Sequence, residues 1–377
     1  MKQQLLALVA ALGLVVGGAT AQAADTVKIG LMAPLTGSWA SEGQGMKKIV
    51  ELLAEQQNAK GGVLGKKIVV VTEDDGGDPR TASLAAQRLT TQGVVAVVGT
   101  YGSSVTEASQ AIYDEVKLPQ IANGSTAIRL TEKGFKHFFR TAPRDDEQGR
   151  MAARTIGKLG FKKVAILHDN TSYAKGLADE ANALLKSSKG TEVVFFDALT
   201  PGERDYTAIL TKLKGTNPDV VLFTGYYPEA GLLMRQKKDM NWKVPFLGGD
   251  ATNNVDLVKI AGKEAAEGFY FLSPPQPRDL DTPDAAAFLA DYQKKYNELP
   301  PSIWAMLAGD GFRVMVAGIA GAKSTDGDKI AEYLHQDLKD YPGLSGPISF
   351  DAKGDREGEV YRVYQVDAEG NFVLQKL

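Results

Sequence analysis

Residues 94–104 read VVAVVGTYGSS, and the fold follows from this stretch. A run of valine and alanine continues unbroken and then gives way, at glycine, to a short polar tip. Apolar runs without alternation mark strands buried on both faces. The next residues, SSVTEASQAIYDEV (103–116), read as a helix. A buried strand that turns through glycine into a helix is half of a parallel α/β unit. Three further runs end in the same way: LPQIANGST (118–126), VVLFTGYY (220–227) and VPFLGGD (244–250). Their tips carry Ser103 and Ser104, Thr126, Tyr226, and Asp250. In open α/β sheets ligands bind outside the carboxyl ends of the strands, so these tips are the residues to inspect.

Outward from these runs the alternation continues. VKIGLMAPL (27–35) is strand-like, and Met46, Ile49, Val50 and Leu53 then recur at helical spacing. KKIVVVTEDD (66–75) is the next strand, and Asp78-Pro79 has the form of an N-cap with proline at the first helical position. KHFFRTA, KKVAILHD, TEVVFFDAL and GFYFLSP add strands, most of them separated by helical stretches. One sheet of more than about ten strands is unusual, so two sheets and two lobes are expected. The breaks are placed in TAPRDDEQGR near Pro143 and in SPPQP at Pro274 and Pro275. Two or three helices follow the second break, including the run Ile303 to Ala322. The tail, VYRVYQVDAEGNFVLQKL (360–377), alternates with period two about a turn and reads as a closing hairpin.

Met1 and Lys2, an apolar stretch from Leu5 to Val16 and the triplet Ala21-Gln22-Ala23 have the layout of a signal peptide cleaved after Ala23. That stretch is shorter than the roughly 20 residues of a membrane span. No later stretch reads as long and apolar enough for one. The 377 residues are 44% hydrophobic, enough for two lobes of ordinary size. There is no cysteine, so neither a disulfide nor a thiol-linked lipid anchor is available. A net charge of -3 with mixed signs offers no basic patch for nucleic acid.

Signals for catalysis or metal binding are weak. GGVLGKK (61–67) has the wrong glycine spacing for a phosphate loop and reads as a turn before a strand. His137, His168 and His335 have no metal-ligand spacing, and His168 reads as structural. Asp74, Asp75 and Asp78 read as a solvated turn with a helix cap. Asp145, Asp146 and Glu147 read as acids favouring a helix N-terminus.

The four tips are chemically complementary. Unpaired N–H groups at the start of the helix after Gly102 favour a carboxylate, and Gly102 and Gly124 let backbone approach closely. Ser103 and Thr126 supply hydroxyls. Asp250 is an acceptor for an ammonium, with Tyr226 beside it. An anion at one end and an ammonium at the other describe an amino acid held between two lobes.

At these residues the chain resembles the leucine/isoleucine/valine-binding proteins of ABC importers, which have the type I periplasmic-binding-protein fold. The resemblance spans the mature chain and rests on GLMAPLTG, NAKGGVLGKKIVVVTEDDGGDP, VVGTYGSS, LTEKGFKHFFRT, HDNTSYAKGLA, VVFFDALTPGERDYTAIL, TGYYPEAG, IAGKEAAEG and GPISFDAKGD. It implies two Rossmann-like lobes joined by a three-strand hinge: a signal peptide over 1–23, lobe 1 over 24–142 and 275–347, and lobe 2 over 143–274 and 348–377. It also implies a monomeric, non-enzymatic binder in the periplasm, with no cofactor, that delivers an aliphatic amino acid to a membrane permease. Relatives of the fold take amides, urea or aromatic acids, which is the alternative. The ligand contacts implied are Ser103, Gly124, Ser125, Thr126, Tyr173, Tyr226 and Asp250, with Trp39, Glu42 and Tyr101. Two departures bear on the side-chain pocket: Glu42 and Ser302 stand where the family has aromatic residues. Glu42 reads as a solvated loop residue, the alternative being contact with a polar or basic ligand side chain. Gly77 and Gly102 stand where some members have a disulfide.

Overall fold

Short apolar runs that are too brief and too β-branched for helices build two sheets. The computed structural model describes residues 26–377; the signal peptide and cleavage site expected from the sequence lie outside them. The first sheet contains β1 (Thr26–Ala33), β2 (Lys67–Asp74), β3 (Ala96–Val98), β4 (Gln120–Ala122) and β5 (Phe138–Arg140). Its order is β2-β1-β3-β4-β5, and every pairing is parallel. The second contains β6 (Lys163–His168), β7 (Glu192–Ala198), β8 (Val220–Phe223), β9 (Phe246–Gly248) and β10 (Tyr270–Ser273). The hairpin pair β13 (Arg362–Val366) and β14 (Phe372–Leu374) completes it, in the order β14-β13-β10-β9-β8-β6-β7. The hairpin joins antiparallel, as the alternating tail implies. A small pair, β11 (Tyr341–Gly343) with β12 (Gly346–Ile348), stands apart.

Three helices follow β10: Pro283–Tyr296, Ile303–Ala322 and Gly327–Gln336. They return to the first lobe, where Phe288, Met306, Phe312, Ile319 and Leu334 share a core with Ile29, Leu31 and Ile49. The helix Ile303–Ala322 corrects one reading of the sequence, because it is long and apolar enough to cross a membrane. Its place explains the composition: 83% of its apolar window is buried, as a central core helix requires.

The chain does not leave the first lobe at Pro347. Ile348 and Phe350 belong to the first core, and Phe350 packs edge-on against Phe139. Asp355 accepts from Thr131 at 2.9 Å and pairs with the buried Arg140. Tyr361 and Val363 then lie in the second lobe's core. Apolar patterning does not mark this crossing, because an ion pair holds it.

The turn at 61–67 forms as read. Val63 and Lys66 bridge it, and Gly62 has φ +73° where a Cβ would lie 1.9 Å from the Lys66 carbonyl oxygen. The aspartate cluster is only partly as read. Asp78 caps the helix Pro79–Thr91 through the Thr81 N–H at 2.8 Å. Asp75, however, is buried and accepts from the Gly77 N–H, and burial pushes its carboxyl up to about 7.

Candidate functional site

The four tips converge between the two sheets. The helix Ser103–Glu115 begins directly after β3, with Gly102 as an extended N-cap that has no side-chain partner. The Val105 N–H turns back to the Gly102 carbonyl at 3.1 Å, and the Ser103 and Ser104 N–H groups are left for something else. Ser103 is buried and its Oγ accepts from the Ala127 N–H at 3.2 Å, a role that uses no proton, so the hydroxyl can still donate. Thr126 is fully buried; its Oγ1 makes no well-formed hydrogen bond but lies near enough to the Asp145 carboxyl to hold it down. Gly124 is required by contact: a Cβ there would lie 2.6 Å from the Tyr101 ring. Ser125 differs from the rest. Its hydroxyl is taken up inside the loop, 2.7 Å from Thr106 Oγ1 and 3.2 Å from the Thr100 carbonyl oxygen.

Aromatic rings form the middle of the site. Trp39, just before the helix Ala40–Ala59, stacks on Tyr226 of the second lobe with centroids 4.2 Å apart. Tyr101 meets Trp39 edge-on at 5.6 Å, and Tyr173 meets Tyr226 at 5.4 Å. Tyr101 is buried with its hydroxyl unpartnered. At Gly102 a Cβ would strike the Trp39 ring at 2.7 Å, so the glycine makes room for the indole.

Asp250 begins a 3-10 turn just past β9 and is buried. Its N–H donates to Gln148 Oε1 at 2.8 Å, and its Oδ2 accepts from the Tyr361 hydroxyl. Gln148 in turn donates to Asp145 Oδ1 at 2.9 Å. Asp145 is buried too, and its Oδ2 has no partner. Burial pushes the Asp250 carboxyl up to about 7. Burial and the nearby Asp250 charge push Asp145 well above the carboxylate range. The hydrogen-bond partners of this acid pair are neutral groups, and the guanidinium that acts on Asp145, Arg140, is itself paired with Asp355, so the pair can receive positive charge.

Asp145 and Gln148 are the residues that the sequence reading missed. By sequence Asp145 reads as an acid favouring the N-terminus of the helix Asp145–Lys158, whose first turn it does occupy. The signal was nevertheless present. KHFFRTAPRDD is a fifth strand with a polar tip, and the rule applied to the other four reaches Asp145. Gln148 follows three residues on, hence on the same helix face.

Glu42 corrects a second reading. It lies in the first turn of the helix Ala40–Ala59 and is fully buried. Oε1 accepts from Asn254 at 2.6 Å and Oε2 from Ser302 at 2.7 Å. His168 is structural as read: its Nδ1 accepts from the Asn170 N–H at 3.2 Å.

The lobes touch across the site, so this is a closed cleft. The Trp304 indole N–H donates to the Asp250 carbonyl at 3.3 Å, and the Tyr227 hydroxyl to the Ser38 carbonyl at 3.0 Å. At the rim, the Ser172 N–H donates to Ser104 Oγ at 2.9 Å and its hydroxyl to Glu107 at 2.7 Å. An open depression of about 550 Å³ lies elsewhere, between the helices Ala40–Ala59, Pro283–Tyr296 and Ile303–Ala322. Arg313 there is paired with Asp284 and Gln56 donates to Asp291, and it contains none of the strand tips.

Comparison with known proteins accounts for this geometry. The family model for periplasmic binding proteins matches residues 26–371. The chain belongs to the periplasmic binding protein family. The leucine-, isoleucine-, valine-, threonine- and alanine-binding protein of Pseudomonas aeruginosa is 34% identical, with 96% of each chain covered. The Leu/Ile/Val/Thr-binding protein of Salmonella typhimurium is also 34% identical, with 92% of this chain and 93% of that protein covered. Among solved structures, the branched-chain amino acid transporter substrate-binding protein of Streptococcus pneumoniae, in complex with isoleucine, superposes with a TM-score of 0.85. It is 33% identical and covers 94% of this chain and 100% of its own. This periplasmic binding protein therefore has the expected two-lobed α/β fold, and its relatives are substrate binders rather than enzymes.

Proposed function

We propose that this protein is the substrate-binding component of an ABC importer, capturing an α-amino acid with an aliphatic side chain between its lobes and handing it, as a monomer, to a membrane permease. It works in the periplasm after cleavage behind Ala23 and catalyses no reaction. The observation that carries this reading is the polarity of the cleft. The start of the helix Ser103–Glu115, with Ser103 and Thr126, faces an anion. Asp250 and Asp145, two buried acids with neutral partners, face a cation. Tyr101, Tyr173, Tyr226 and Trp39 enclose the middle. An α-amino acid has its two charges on adjacent atoms of one short backbone and satisfies both ends together. Relatives that bind leucine, isoleucine and valine support the aliphatic class. The hinge follows the lobes described above, with crossings near Ala142 and Pro274 and a third between Arg356 and Tyr361.

A thermal-shift panel of amino acids, amides and aromatic acids tests the class. Stabilisation by leucine, isoleucine or valine, and none by benzoate or urea, is the expected result. The reverse ranking overturns the proposal.

A further inference from the structure

Glu42 is a buried acid for which the ligand reading leaves no task. Each of its carboxylate oxygens already has a donor: Ser302 on its own lobe and Asn254 on the other. Both donors are buried and held in place. Ser302 Oγ accepts from the Trp304 N–H at 3.0 Å, and Asn254 Oδ1 accepts from the Asp256 N–H at 2.8 Å, which turns the Asn254 amide nitrogen toward Glu42. Ser302 leads through Trp304 to the Asp250 carbonyl, so the network is mechanically joined to the ammonium end of the cleft.

We propose that Glu42, bonded to Ser302 and across the cleft to Asn254, is a lobe–lobe clasp: a positioning residue that acts on closure without touching the bound ligand. The proposal rests on the amino-acid reading for its ligand but not for its geometry. When the lobes part, Glu42 loses Asn254 and meets water. When they close, it is sealed among groups that bring no positive charge. Asp256, at the start of the helix Asp256–Ala261, adds repulsion, although it is itself paired with Lys259 at 2.6 Å. Tyr101 and Tyr227 from the strand tips feel the Glu42 charge. Burial pushes Glu42 up to about 7 in the closed form. Closure therefore takes up a proton. Its contribution is complete below the ordinary glutamate range and fades as pH rises through about 7. Asp250 and Asp145 are present in the wild type and in Glu42→Gln alike, so the difference between those two profiles reads Glu42.

The test measures L-leucine affinity and dissociation rate from about pH 5.5 to about 8.5 for the wild type, Glu42→Gln and Asn254→Ala. The wild type should weaken by about tenfold more over this range than Glu42→Gln does. Asn254→Ala should release L-leucine several-fold faster at low pH. Parallel profiles for the wild type and Glu42→Gln, with unchanged release from Asn254→Ala, overturn the clasp. If the wild type binds no amino acid, the functional reading fails instead. Closure is then read directly from spin labels at Lys60→Cys and Lys189→Cys, in a chain with no cysteine of its own. A pH-dependent shift toward the open distance that is absent in Glu42→Gln supports the clasp, and identical distributions overturn it.

Discussion

Two regions of the cleft, the Asp145–Asp250 pair and Glu42, both bury carboxylates but finish them differently. Beside Asp250, Asp145 Oδ2 and Thr126 Oγ1 lie near one another without a well-formed hydrogen bond, and the Tyr101 hydroxyl in the cleft is unpartnered. At Glu42, both oxygens are met by donors. A buried polar atom without a partner costs about 1–3 kcal/mol, more if charged. A region built with such atoms is stabilised by a ligand that supplies the missing groups. A region that satisfies itself gains nothing from ligand polarity and can serve closure instead. Burial alone does not identify a ligand contact; the unmet hydrogen-bonding capacity does.

The sharpest break in this contrast is Asp250→Asn. Removing one partner of a buried ion pair costs about 3–5 kcal/mol, so L-leucine affinity measured by calorimetry should fall by roughly 100-fold or more. The melting temperature without ligand should hold, because the open cleft is solvated. Asp145→Asn should follow with a loss of about tenfold to 100-fold, since Asp250 still answers the ammonium. Equal affinity for that variant and the wild type would return Asp145 to a role at its helix N-terminus alone. Ser103→Ala removes one hydrogen bond to a charged group, worth about 1.5–3 kcal/mol, and should weaken binding by roughly tenfold. Ser125→Ala gives the smallest effect on binding. Its hydroxyl serves the loop, so L-leucine affinity should stay within about twofold while the melting temperature drops. A large affinity loss there would place Ser125 back among the ligand contacts.

Much of this was legible in the sequence. Runs such as VVAVV and VVLF are decided by local physics, since short, β-branched, unbroken apolar runs suit strands buried on both faces. The polar tips follow from topology, which puts every carboxyl end on one side of a sheet. What escaped were residues whose meaning depends on distant partners. Glu42 looks solvated until Ser302 and Asn254, each more than 200 residues away, close over it. Asp145 looks like a helix acid until Asp250 arrives beside it. Arg140 and Asp355, which fix the last crossing, are likewise far apart in the chain. The helix Ile303–Ala322 passes for a membrane span by length and hydropathy, and only its packing shows a core helix.

The central claim is that the acid pair answers an α-ammonium. It is tested most directly by calorimetric titration of the wild type and Asp250→Asn with L-leucine and with 4-methylpentanoic acid, its des-amino analogue. The account predicts that the wild type binds L-leucine and hardly binds the analogue. It also predicts that Asp250→Asn loses roughly 100-fold toward L-leucine and little toward the analogue. A wild type that prefers the des-amino acid would contradict it and make the protein an organic-acid binder.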